Sequence, residues 1–160
     1  MLAGRTPWVI VLTLGAAGFL SIVHMPDWAV DYRPQWTAMT VIFWITTLPD
    51  RVGVFWAFFA GLMMDVVTGS LLGQHALSFS VMGYLTVELE QRIALFRAWQ
   101  QAVSIWLILT VERLLSLWVL SATNQPTPSL SYWTTTFVSM LLWPWFAAAL
   151  RGLVRRLDLA

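Results

Sequence analysis

The sequence predicts an all-α polytopic membrane protein with six transmembrane helices. Three observations carry that expectation: the apolar composition, the spacing of the charged residues and the placement of the arginines. Of 160 residues, 59% are hydrophobic and 11% are charged, and the mean hydropathy is +0.72. Soluble domains are about 25% charged. A chain this small has too much surface for its volume to hide so much apolar area from water, so the excess faces lipid. The net charge is only +1 and every basic residue is Arg, which leaves no basic stripe able to follow a phosphate backbone and argues against nucleic acid as a partner. The absence of Cys excludes disulfides and thiolate metal sites. His24 and His75 are too few to suggest a metal centre.

The gaps between charges place the helices. Uncharged stretches run over 6–26, 34–49, 52–64, 66–87, 98–111 and 114–150. Crossing a bilayer takes about 20 apolar residues at about 1.5 Å of rise each. Helices are therefore expected near 7–25, 34–49, 52–68, 73–89, 98–121 and 131–150, forming one integral membrane domain over 1–160. In the first, Arg5 precedes an apolar run from Trp8 to Val23, as in a secretory signal. No small-residue cleavage site with a polar domain behind it follows, so the run reads as a retained anchor. Pro7 and Pro34 fall at predicted starts, Pro26 and Pro49 at predicted ends, and Pro126 and Pro128 in the polar stretch SATNQPTPSLS before the sixth helix. Pro144 lies inside the sixth helix and predicts a kink. No internal repeat or low-complexity tract interrupts the pattern.

Orientation follows from the arginines, since short loops rich in basic residues stay cytoplasmic. With six spans and both termini inside, Arg5, Arg51, Arg92, Arg97, Arg151, Arg155 and Arg156 are cytoplasmic. Arg33 alone lies outside, and Arg113 falls within a helix. Fusing 52–89 into one span would move five of those arginines outside, which the same rule rejects. Trp8, Trp28, Trp36, Trp56, Trp99, Trp118, Trp133, Trp143 and Trp145 lie near predicted helix ends, where amphipathic rings favour the headgroup zone.

The charges that remain inside helices are the candidate special positions. An ionisable residue near the bilayer centre costs about 2.5 to 3.5 kcal/mol, so it faces a partner, a cavity or another charge. Asp65 interrupts the third helix, and Glu112 with Arg113 interrupts the fifth. Asp65 is roughly 20 Å from the cytoplasmic end of its helix and Arg113 roughly 12 Å short of its outer end, so both fall in the outer half. A pair between Asp65 and Arg113, or between Asp65 and a polar group of another chain, is one expectation. Snorkelling of Arg113 towards the outer interface, with Asp65 as a helix-end residue before Thr68 and Gly69, is the other.

Gly61, Asp65, Gly69 and Gly73 recur every fourth residue, a spacing that allows close helix approach. For Gly69 and Gly73 a hairpin turn with positive φ is the favoured reading, and for Gly61 close packing. No catalytic constellation is expected, since His24 and His75, the latter beside Gln74, lack a Ser, Asp or Cys at motif spacing. The segment ELEQRIALFR carries Glu88, Glu90, Arg92 and Arg97. Arg92 lies four residues after Glu88 and could close one weak pair on a solvated helix extension; the sharper reading is a docking surface for a cytoplasmic protein.

The stretch from Arg33 to Gln101 resembles the MreD family of bacterial rod-shape-determining membrane proteins. The matching pieces are RPQW at 33–36, VIFWITTLPDRVGV at 41–54, GLMMDVVTGSLLGQHAL at 61–77 and GYLTVELEQRIALFRAWQQ at 83–101. Gly61, Asp65, Gly69, Gly73, Gln74 and His75 in fixed register make the third piece the most specific. RVG after the second-span proline, with GQHAL, looks like a proteobacterial version; Phe43 stands where Tyr is common.

The resemblance implies a non-enzymatic scaffold of the elongasome in the cell inner membrane, with no cofactor, no metal and no catalytic residues. It helps organise lateral peptidoglycan synthesis and maintain rod shape. Implied partners are an MreC-type membrane protein, the actin-like MreB, a RodA-type glycosyltransferase and its penicillin-binding transpeptidase, all around the lipid bilayer. Self-association into a homodimer stays open. The family is also similar in fold to the substrate-binding membrane subunits of energy-coupling-factor vitamin transporters. The alternative function is accordingly a small-molecule binding subunit with an outer cavity around Asp65, Gln74, His75 and Glu112.

Overall fold

The computed structural model describes Gly4 and residues 6–158; Arg5, counted above among the cytoplasmic arginines, lies outside the described residues. Among them every regular element is helical. α1 is Thr6–Ile22, α2 Asp27–Val30, α3 Trp36–Thr47, α4 Val54–Thr68, α5 Gln74–Leu95, α6 Ala98–Ala122 and α7 Thr134–Arg156, with a 3-10 turn at Leu130–Trp133 leading into α7. The six expected helices are α1 and α3 to α7. α2 was not expected, because four residues carry no periodicity to read. Two stretches are long and apolar enough to cross a membrane, Ala98–Ala122 and Leu130–Arg156. Thr6–Ile22, Trp36–Thr47 and Val54–Thr68 are apolar but shorter.

α5 and α7 run further than charge spacing predicted, to Leu95 and Arg156. A charge marks where a helix leaves an apolar medium, not where its hydrogen bonds stop, so both helices continue through their charged ends. This displaces Trp143 from a helix end to mid-helix. It is 3% exposed and belongs to the core rather than to an interfacial belt. Trp8, Trp28, Trp99, Trp118 and Trp145 do stand exposed. α7 passes Pro144 without a break.

α3 is the centre of the molecule. Nine of its twelve residues are buried, because it packs against α1, α4, α5 and α7. Trp44 is fully buried, and its indole N–H donates to Thr13 Oγ1 on α1 at 2.9 Å. α4 and α5 form the most extensive helix pair. Gly61 allows it: a Cβ there would stand 2.3 Å from the His75 carbonyl oxygen and 2.7 Å from Ala76 Cα. Gly69 and Gly73 take φ of +64° and +101° and turn the chain between the two helices. The small-residue face is thus filled by α5.

Successive helices alternate in direction and so give the molecule two ends. One gathers the C-termini of α1 and α4, the N-termini of α3, α5 and α7, and the C-terminal half of α6 around a cavity. The other gathers Thr46, Ala94, Gln101 and Arg151. At the cavity end the Arg33 guanidinium donates to the carbonyls of Ser21 and Val23, closing the end of α1. The Gln35 backbone N–H donates to Ser139 Oγ at 2.9 Å, and the Thr134 hydroxyl to the Asp31 carbonyl, tying α7 to the loop before α3.

Candidate functional site

Asp65 is 1% exposed, on the last turn of α4. Its carboxylate accepts five hydrogen bonds. Oδ1 takes the Ser70 hydroxyl at 2.8 Å, the His75 backbone N–H at 2.8 Å and His75 Nδ1 at 2.9 Å. Oδ2 takes the backbone N–H groups of Gly73 at 2.9 Å and Ala76 at 3.3 Å. These donors open α5, where the first turn has no intrahelical acceptors. Asp65 therefore caps α5 from the neighbouring helix, with the negative charge at the positive end of the helix dipole. Gln74 beside it is buried, and its backbone N–H closes on the Leu71 carbonyl at 3.0 Å.

The expected pair between Asp65 and Arg113 does not form. Among the described residues the only acidic side chain within 4 Å of a basic one is Asp65, whose Oδ1 lies 2.9 Å from His75 Nδ1. The Arg113 guanidinium instead lies 4.1 Å from the centre of the Tyr132 ring, a cation–π contact. Asp65 needs no distant cation because backbone donors eight to eleven residues away in sequence reach it first. Ser70, His75 and Asp65 do come together, but Ser70 and Asp65 both sit on Nδ1. A relay to a nucleophile needs the serine on the opposite ring nitrogen, so this cluster holds a helix start and does not activate a hydroxyl.

Glu112 forms the second polar centre. It is 2% exposed, in the middle of α6. Its Oε1 accepts the hydroxyls of Ser78 at 3.1 Å and Ser116 at 3.0 Å, and its Oε2 accepts Gln35 Nε2 at 3.0 Å. Side chains from α5, α6 and the loop before α3 thus converge on one carboxylate, and all are neutral. Ser116 lies four residues after Glu112 and was readable as a same-face neighbour. Gln35 and Ser78 carry no such signal.

Beside Glu112 lies a cavity of about 490 Å³, within the range of small-molecule sites. Glu112, Arg113, His75, Gln35, Arg33 and Tyr132 are among its walls. His75 and Glu112 were expected there. Asp65 and Gln74 were expected too but do not line it, since Asp65 is turned into the α4–α5 hairpin behind His75. Among the described residues no three His, Asp or Glu side chains cluster as metal ligands.

The profile of the family described as rod shape-determining protein MreD matches residues 4–153. The chain belongs to the MreD family. A curated relative, Rod shape-determining protein MreD of Haemophilus influenzae, is 27% identical over 158 residues, spanning 95% of this chain and 94% of that one. No solved structure matches the chain. MreD proteins are rod shape-determining membrane proteins and not a known enzyme family, so the chain has a role in cell shape.

At the opposite end of the molecule α5 runs through Glu88, Glu90 and Arg92, and Arg97 precedes α6. Glu88, Arg92 and Arg97 are exposed and Glu90 half-buried. The helix extension forms as expected, while the pair between Glu88 and Arg92 does not close. The α5–α6 turn is fixed by Gln101 Nε2, which donates to the Ile93 carbonyl at 3.0 Å and the Phe96 carbonyl at 3.3 Å.

Proposed function

We propose that this MreD-family chain is a multi-pass inner-membrane scaffold of the cell-elongation machinery. It binds an MreC-type protein within the membrane and helps organise lateral peptidoglycan synthesis. In this reading residues 1–160 form one membrane domain of six spans, α1 and α3 to α7, with both termini in the cytoplasm. α3 is short for a span, but it crosses inside the protein, where it has no lipid thickness to match. The gathering of Arg51, Arg92, Arg97, Arg151, Arg155 and Arg156 away from the cavity supports the orientation.

The observation that carries the scaffold reading beyond family membership is the apolar exterior of α1 and α4. Trp8, Leu12 and Phe19 on α1, and Phe55, Phe59 and Val66 on α4, are each at least 60% exposed. Leu12 and Phe19 stand seven residues apart on one face, with Gly15 between them. A Cβ at Gly15 would meet no atom within 4 Å. A partner span can approach α1 closely there, whereas the Gly61 face is filled by α5. Gly15→Leu is expected to leave folding unchanged and to abolish co-purification with an MreC-type protein. Retention of the complex, or crosslinks confined to the tail after 150, would refute the docking.

The wider assembly proposed is an MreB-type filament, a RodA-type glycosyltransferase and its transpeptidase. Glu88, Glu90, Arg92 and Arg97 are the proposed cytoplasmic docking residues. A second reading, a vitamin-like small-molecule binding subunit of the energy-coupling-factor transporter type, is favoured by the cavity beside Glu112. A thermal-shift screen of purified protein against small polar compounds tests it: a saturable stabilisation supports it, and a flat response across the panel removes it.

A further inference from the structure

Charges of opposite sign line the outer cavity without pairing. The Glu112 carboxylate is buried on three neutral donors, and among the described residues no cation stands within ion-pair distance of it. A buried carboxylate favours a cationic partner in a medium of low dielectric. Next to it the Gln35 Oε1 is buried without a donor. Two guanidinium groups line the same cavity and are held in place by neutral groups, Arg33 by the carbonyls of Ser21 and Val23 and Arg113 by the Tyr132 ring. In both, Nε is buried without an acceptor. The remaining ionisable groups on the wall are Asp31, which is exposed, and His75, engaged by Asp65. The cavity wall thus carries both a carboxylate and guanidinium groups, each fixed by neutral internal contacts that leave its charge uncompensated.

We propose that the outer cavity binds a small zwitterion, a ligand in which an ammonium is joined by a short linker to a phosphate or carboxylate. The ammonium lies against Glu112 and Gln35 Oε1, and the anion against the guanidinium groups of Arg113 and Arg33. Arg suits the anionic half because its planar fork matches the oxygens of phosphate and carboxylate. One such group on either side explains why neither charge was closed internally. The same chemistry occurs in a free amino-alkyl phosphate and in the headgroup of phosphatidylethanolamine. This inference rests on the cavity reading given above as the second function and names the ligand class for it.

The test uses the full chain purified in detergent, with O-phosphoethanolamine, ethanolamine and inorganic phosphate as soluble probes. O-phosphoethanolamine is expected to bind at least tenfold more tightly than either half. Glu112→Gln and Arg113→Gln are each expected to weaken that binding at least tenfold, while Arg151→Gln at the opposite end leaves it unchanged. Melting of the unliganded variants checks that they fold, and Arg113→Lys supplies a milder second variant should Arg113→Gln not fold. A lipid arm separates the two sources: retention of phosphatidylethanolamine over phosphatidylglycerol in native mass spectrometry, lost in Glu112→Gln, assigns the lipid headgroup. Binding of the soluble probe with no lipid preference assigns the free compound. Equal binding of ethanolamine alone, or wild-type binding by both variants, overturns the proposal. If uncharged compounds stabilise the protein and zwitterions do not, the ligand class fails while the cavity reading stands; if no compound does, both fail.

Discussion

Asp65 and Glu112 are both buried carboxylates at the cavity end, and both were conspicuous as charges inside apolar helices, yet they are satisfied in opposite ways. Asp65 is held mainly by backbone N–H groups, at Gly73, His75 and Ala76, with Ser70 and the His75 ring completing the set. Backbone donors cannot rotate away, so this carboxylate is part of the fold. Glu112 is held by three side chains, each able to turn to another partner. A carboxylate bound by the main chain organises structure, and one bound by neutral side chains beside a cavity remains available for a ligand.

Amide substitutions expose the difference most strongly. Asp65→Asn places an NH₂ among donors that all point at it, leaving backbone N–H groups of the α5 start without an acceptor. A destabilisation of about 3 kcal/mol is expected, since charge-assisted bonds are lost and buried donors are orphaned. It would be read as a lowered midpoint of denaturant or thermal unfolding in detergent. A loss no larger than that of Glu112→Gln would erase the contrast. Gly61→Ala acts on the same hairpin by a different route. The added methyl would meet the His75 carbonyl at 2.3 Å, and overpacking costs typically 1–3 kcal/mol, offset by up to about 1 kcal/mol of helix propensity. A net loss of about 2 kcal/mol is expected, with Gly15→Ala as the control that shows no loss.

Glu112→Gln is expected to cost about 1 kcal/mol or less. The amide oxygen still accepts from Ser78 and Ser116. Gln35 can reverse its own amide so that its now unpartnered oxygen accepts the new NH₂. Near-wild-type melting together with lost ligand binding would separate function from fold at this position.

Much of this architecture was visible in the sequence because a membrane punishes misplaced charge. The six long helices, the hairpin at Gly69 and Gly73 and the special status of Asp65, Glu112 and Arg113 all follow from where polar groups interrupt apolar runs. What satisfies them did not follow. Asp65 was expected to seek Arg113 because both sit at similar depth, but depth along two helices says nothing about which faces meet. The hydrogen bonds to Gly73, His75 and Ala76 depend on the hairpin folding back within one turn, and Ser70 enters the cluster only through that turn. Gln35 and Ser78 reach Glu112 through tertiary packing alone. Trp143 was misplaced for a simpler reason, because helix ends were inferred from charges while α7 continues through Gly152 to Arg156.

The arginine end gives the weakest expected effect and thereby sets the scale for the others. Glu88 and Arg92 share a helix face on α5, but their pair is open, and exposed pairs on helices contribute only about 0.3–0.5 kcal/mol even when closed. Glu88→Gln is therefore expected to shift stability by less than about 0.5 kcal/mol, within the spread of replicate melts. Glu88 and Arg92 are exposed and unpaired with each other, which leaves them free to meet a partner. If Glu88→Gln left melting unchanged but weakened capture by an MreB-type protein, a docking role would be supported. A loss comparable to that of Asp65→Asn would mean that this end, too, is held by its charges, and the contrast between the two ends would fail.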